Sequence, residues 1–238
     1  MSKRLTEKHF DASFDEVFAR LDADGDGVVD PTELRRLMFG DFLIPGADPK
    51  VYGEVLEYDQ LHAVVTEYLT DFNSTSKKFM HLVLFLYALE HVCRICRVIK
   101  QPFGNALLVG VGGSGKQSLT RLASFVAGAT FSQITITKAY SAINLLEDFK
   151  PLFIQAGVKG RGAAFLFTDK EIKEESFLEF INIFLNTGEL PNLFPRDELD
   201  AIIGECREKY QDLYKGSEPT VDELWAFFTT PTHRLPLA

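Results

Sequence analysis

The residues whose types and spacing most plainly suit a chemical task form one stretch of seven, Gly110-Val-Gly112-Gly113-Ser114-Gly115-Lys116. Gly112, Gly113 and Gly115 allow backbone N–H groups to turn inward around an anion, with no side chain in the way. Lys116 adds a point charge for outer phosphates. The apolar run Asn105-Ala-Leu-Leu-Val-Gly110 precedes the loop, and a helical pattern from Gly115 to Ala127 follows it. The positive end of that helix therefore faces the same anion. Strand, glycine loop, lysine and helix in this order are the setting of a P-loop that holds ATP. The next position ordinarily carries a hydroxyl ligand for Mg²⁺. Here it is Gln117, whose amide oxygen can ligate Mg²⁺ but is bulkier, and Ser118 comes one place late.

A second half of such a site is an acid at the end of a later strand. Ala163-Ala-Phe-Leu-Phe-Thr-Asp169 has that form, so Asp169 is expected to complete the Mg²⁺ shell. The residue after it, where a Glu commonly polarises the attacking water, is Lys170. An ammonium cannot serve as a base at neutral pH without a strongly lowered pKa. Glu171, one step on, is expected to face another way. ATP binding with little or no hydrolysis is the expectation.

A different chemistry is written near the start of the chain. Asp22-Ala-Asp24-Gly-Asp26-Gly27-Val28-Val-Asp30-Pro-Thr-Glu33 places oxygen donors at every ligand position of a twelve-residue EF-hand loop for Ca²⁺. Asp22, Asp24 and Asp26 offer carboxylates, Val28 its carbonyl, Asp30 a direct or water-mediated contact, and Glu33 both carboxylate oxygens. Gly27 makes the sharp turn. No second loop of this kind is found to pair with it. The segment His91-Val-Cys93-Arg-Ile-Cys96 has no second Cys/His pair at zinc spacing and sits in a helical stretch, so its thiols read as small core residues. Phe177, Phe180 and Phe184 likewise read as core rather than a stacking surface.

The elements that must position these groups follow from periodicity. Phe10, Phe14, Val17, Phe18 and Leu21 recur at helical spacing, with Ser13 and Glu16 forming a possible capping box, and Glu33 to Phe39 is a second short helix. Gly40, Pro45, Gly46 and Pro49 mark a linker. Helices are expected over about 54–72 and 76–100, before Pro102 and Gly104 break the pattern. Thereafter strand-like runs at 105–110, 131–137 and 162–168 alternate with helical ones at 115–127, 142–156 and 176–185. That alternation is the signature of an α/β parallel sheet covered by helices. Residues 229–238 show no periodicity. The division expected is a helix–loop–helix at 1–45, a helical linker segment at 46–103 and a nucleotide-binding module at 104–238.

Composition narrows the classes. The 238 residues are 46% hydrophobic and 25% charged, as in globular proteins, and Phe 21, Tyr 7 and Trp 1 supply ample core. The longest apolar run, Leu82 to Leu89, is far below the roughly 20 residues of a membrane span. With three cysteines and no apolar leader, an intracellular, cytoplasmic setting is expected, with no membrane partner. The net charge of -9 falls mainly on residues 1–60, where 14 acidic and 7 basic side chains leave -7. A basic footprint is missing, so no nucleic acid is expected as a partner.

Several longer strings carry a resemblance. Leu37-Met-Phe-Gly-Asp-Phe42, Arg94-Ile-Cys-Arg-Val-Ile-Lys-Gln-Pro102, Asn105 through Ala123, and Leu185-Asn-Thr-Gly-Glu-Leu-Pro-Asn-Leu-Phe194 resemble axonemal dynein heavy chains. The similarity is to the fourth AAA+ module of the motor ring and the segment leading into it, over about 10–228. It implies an α/β fold: a helical N-terminal segment with an EF-hand-like loop, then a truncated P-loop AAA+ three-layer parallel sheet. It implies ATP as ligand, Gly110 to Lys116 as the Walker A loop, Asp169 as the Walker B acid, and Gln117 and Lys170 as the axonemal version of the module. It implies a cilium or flagellum axoneme, with other modules of a dynein motor ring and microtubules as partners. The resemblance further implies a strand order 5-1-4-3-2, in which a strand after Phe228 would separate the P-loop strand from the Asp169 strand. Residues 229–238 do not resemble that continuation, and a heavy-chain fragment is the expectation. A stand-alone calcium-binding protein using the P-loop half as scaffold is the alternative reading.

Overall fold

The computed structural model describes residues 19, 21–22, 25–29, 37–101, 104–214 and 218–232. Most of the helices expected over 10–21 and 33–39 lies outside them; Ala19 and Leu21 are helical as expected, whereas Leu37 and Met38 are not and Phe39 lies in a strand. The described chain begins with a short antiparallel ladder, β1 (Phe39–Gly40) against β2 (Gly53–Glu54). Helices α1 (Tyr58–Thr75), α2 (Leu86–Lys100) and α3 (Lys116–Val126) follow. Then come β3 (Thr130–Gln133), α4 (Ala142–Phe153), β4 (Ala163–Leu166), α5 (Glu175–Thr187), α6 (Arg196–Leu213) and α7 (Val221–Thr232).

The helices form where apolar residues recur every three or four positions, and each buries that stripe. On α2 the stripe is Leu89, Val92, Cys93, Cys96 and Ile99. On α3 it is Leu119, Leu122, Ala123 and Val126. The two stripes pack on each other, and the Cys96 thiol donates a 3.3 Å hydrogen bond to the Ala123 carbonyl oxygen. Packing thus runs straight across residue 104, from the helical segment into the P-loop helix.

Strands β3 and β4 pair in parallel, Thr130 opposite Ala163 and Gln133 opposite Leu166. Every residue of β4 is buried, because it has a core on each face. Successive side chains point to opposite faces. Ala163 and Phe165 enter a cluster with α4, α5, α6 and α7, while Ala164 enters the cluster built by α1, α2 and α3. In the first cluster the Phe149 ring lies 4.7 Å from that of Phe165 and 6.2 Å from that of Phe184. Phe177 and Phe184 are buried there, as expected of a core stripe. Residues 154–158 continue α4 as one wide π turn. A Cβ on Gly157 would stand 2.5 Å from the Phe228 ring, so the glycine lets α7 come down onto this turn.

Three expectations need correction. Asn105–Gly110 is not a strand: no described strand pairs with it, and Leu107, Val109 and Val111 are 89%, 86% and 79% exposed. The helix expected over 76–100 starts only at Leu86, since residues 76–85 are non-helical. Residues 229–232, expected to be aperiodic, are helical: α7 runs to Thr232. Its Leu224 and Phe228 are buried in the core that Gly157 opens.

Candidate functional site

The glycine loop is drawn tight by two left-handed residues, Gly113 at φ 79° and Gly115 at φ 80°. A side chain at either position would be strained. Gly115 is the N-cap of α3 and carries no side-chain cap. The first intrahelical bond runs from the Leu119 N–H to the Gly115 carbonyl oxygen. The N–H groups of the preceding helical positions therefore have no acceptor within the helix. The Lys116 ammonium folds back over the loop and donates to the carbonyl oxygens of Gly110 (2.6 Å) and Val111 (2.9 Å) and to the Ser114 hydroxyl (3.3 Å). Lysine, glycine amides and helix terminus thus converge at the mouth of one exposed loop. This is the arrangement that cradles phosphate.

Gln117 is exposed on the first turn of α3, and Ser118 behind it is half-buried. Beside Gln117 a cleft of about 820 Å³ opens, floored by Phe131–Ile136 and walled by the end of α1, by α3 and by the turn after Asp169. Lys170 lines this cleft, whereas Asp169 is exposed and is not part of its lining. Glu171 is buried, and its carboxylate is fully committed: one oxygen accepts the Thr168 N–H, the other the Gln133 amide at 2.9 Å. Gln133 in turn accepts a 2.8 Å bond from the Arg121 guanidinium. A chain Arg121–Gln133–Glu171–Thr168 thereby ties the P-loop helix, β3 and the Asp169 turn together. The Gln133 link had no local signal in the sequence, because it depends on the register of β3 against β4.

Of the calcium loop, Asp24, Asp30 and Glu33 lie outside the described residues. Gly25 and Gly27 are left-handed, at φ 73° and 79°. The Gly27 N–H donates to Asp22 Oδ2 at 3.0 Å and the Val28 N–H to Asp26 Oδ1 at 2.7 Å. Asp22 Oδ1 is buried and has no hydrogen-bond partner. A loop that turns the Gly27 N–H onto one oxygen of Asp22 and leaves the other without a partner suits a cation ligand. The thiols of α2 do not form a metal site. Burial pushes Cys93 up to about 12, and no described group of three or more His, Cys, Asp or Glu residues could hold a metal ion.

Comparison with known proteins places this geometry. Residues 80–234 match the family described as P-loop containing dynein motor region D4, and residues 14–38 match the EF hand. The chain belongs to the dynein motor family. It is 41% identical over 228 residues to dynein axonemal heavy chain 3 of Homo sapiens, covering 96% of this chain and 6% of the relative. It is 48% identical over 181 residues to dynein axonemal heavy chain 5 of Mus musculus, covering 76% and 4%. It is 43% identical over 206 residues to the dynein alpha chain of the flagellar outer arm of Chlamydomonas reinhardtii, covering 87% and 4%. The chain thus spans about a twentieth of the length of the relatives it matches. The resemblance seen in the sequence holds, and the likeness over most of the chain favours it over a calcium-binding protein with an idle P-loop.

Proposed function

We propose that this chain is a nucleotide-binding, regulatory module of an axonemal dynein heavy chain, joined to a calcium-responsive loop. The observation that carries this reading is the convergence of Lys116, the left-handed Gly113 and Gly115 and the N-terminus of α3 at one exposed loop. Gly110, Gly112, Gly113, Ser114, Gly115 and Lys116 hold the phosphates of ATP, with Gln117 and Ser118 supplying N–H groups at the start of the helix. In this reading, the module works within a dynein motor ring on microtubules, in the cytoplasmic axoneme of a cilium or flagellum.

Hydrolysis is not part of the proposal. Gln117 and Asp169 would be the Mg²⁺ pair, but a lone amide and a lone carboxylate beside the Lys170 ammonium make a poor donor set. Glu171 cannot serve as base while its two oxygens hold Thr168 and Gln133. The calcium loop fits its ion better, since Asp22 keeps a bare, buried oxygen. Asp22, Asp24, Asp26, Val28, Asp30 and Glu33 would form the shell.

Substitution tests both halves. ATP should raise the melting temperature of the wild type and leave Lys116→Ala unmoved; an equal rise in both would sink the nucleotide reading. Millimolar Ca²⁺ should change the wild-type aromatic signal and not that of Glu33→Gln.

A further inference from the structure

The cleft beside α3 has a chemistry of its own. Lys77 and Lys78 from the segment just after α1, Arg121 from α3 and Lys170 from the turn after β4 all line it. The one carboxylate in the lining, Glu171, is buried and bonded at both oxygens, so it offers no free ligand to a metal. Three formal positive charges are left over on the cleft wall. Arg121 adds a second, independent observation. Its guanidinium lies 5.0 Å over the Phe131 ring and donates one bond to Gln133, yet its Nε is buried with no acceptor. A buried N–H without a partner is costly, and a guanidinium that turns from Gln133 to meet an oxyanion in the cleft removes that cost. Guanidinium and ammonium groups around one polar hollow are the donor set that recognises phosphate.

We propose that this cleft is an anion site for a phosphate-bearing ligand, contacted by Lys78, Lys170 and Arg121. The phosphate can come from two sources: the outer phosphates of a nucleotide held at the neighbouring loop, whose next residue Gln117 shares the cleft, or a free phosphate or pyrophosphate ion.

The test is thermal melting of the full 238-residue chain with inorganic pyrophosphate, against chloride at equal ionic strength. At about a hundred times its Kd, pyrophosphate should raise the wild-type Tm by about 5 °C. The double variant Lys78→Glu/Lys170→Glu, altered only at exposed positions, should melt like wild type without anion and show no rise with it. A rise retained in Lys116→Ala assigns the cleft to a free anion. A rise lost there assigns it to phosphates shared with the loop, and ATP should then stabilise the double variant less than the wild type. The proposal is overturned if pyrophosphate gives no rise beyond chloride in the wild type, or an equal rise in the double variant.

Discussion

Two largely apolar segments of this chain meet opposite fates. Ala163–Leu166 is a strand with every residue buried, paired along its whole length with β3 and packed by a core on each face. Asn105–Val111 is also rich in apolar residues, yet Leu107, Val109 and Val111 stand in solvent and no described strand lies alongside. The difference is not propensity. An extended segment becomes a strand when a neighbour takes its N–H and C=O groups and a layer covers its side chains. Of the large apolar side chains in the second segment only Leu108 finds partial cover, against the helices α1 to α3. The glycine loop still forms at its end, because Gly113, Gly115 and the start of α3 are held from the helix side.

That contrast can be broken or sharpened by substitution. The largest effect is expected at Phe165, fully buried against Phe149; Phe165→Ala should cost about 3–5 kcal/mol in chemical denaturation. The matching change Leu107→Ala should stay within about 0.5 kcal/mol, and equal losses at both sites would show that the second segment is packed in solution. Gly157→Ala should cost about 2 kcal/mol, since its methyl group meets Phe228 and must push α7 off the core. Gln133→Leu should cost about 1.5 kcal/mol by leaving a Glu171 oxygen buried and unpaired, and should loosen the Asp169 turn as read by hydrogen exchange.

Alkaline pH gives a smaller, graded effect. Burial raises Cys93 to about 12 and Cys206 to about 11, from an ordinary 9.0. Both thiols stay neutral in the fold while those of the unfolded chain ionise first. Stability should therefore be undiminished by them below pH 9 and fall as the pH rises towards 11 and 12. Urea midpoints across that range, compared with Cys93→Ala/Cys206→Ala, measure the share due to the thiols. The smallest change in stability is expected for Val109→Lys, within about 0.5 kcal/mol. It should nevertheless lower self-association in sedimentation, because a charge blunts an exposed apolar edge.

Much of this was legible along the chain. The spacing of Gly112, Gly113, Gly115 and Lys116 identifies a phosphate loop because glycine alone adopts its left-handed turns without strain, a local property. Helices α3, α4 and α5 were equally plain, since a stripe every three or four residues is visible without knowing what covers it. The dynein resemblance rests on long strings of that kind. Other features needed partners distant in sequence. Segment 105–111 has a strand's composition and lacks a strand's neighbour. Helix α7 continues to Thr232 past any apolar stripe of its own, and its approach to the core is set by Phe228 lying over Gly157, more than seventy residues away. Glu171 is taken out of service by Gln133, and Arg121 is brought to Lys78 and Lys170, through the register of two strands and the end of a helix some fifty residues away. Local backbone chemistry is encoded where it acts, whereas pairing, burial and the company of charges are decided by which distant segments the folded chain brings together.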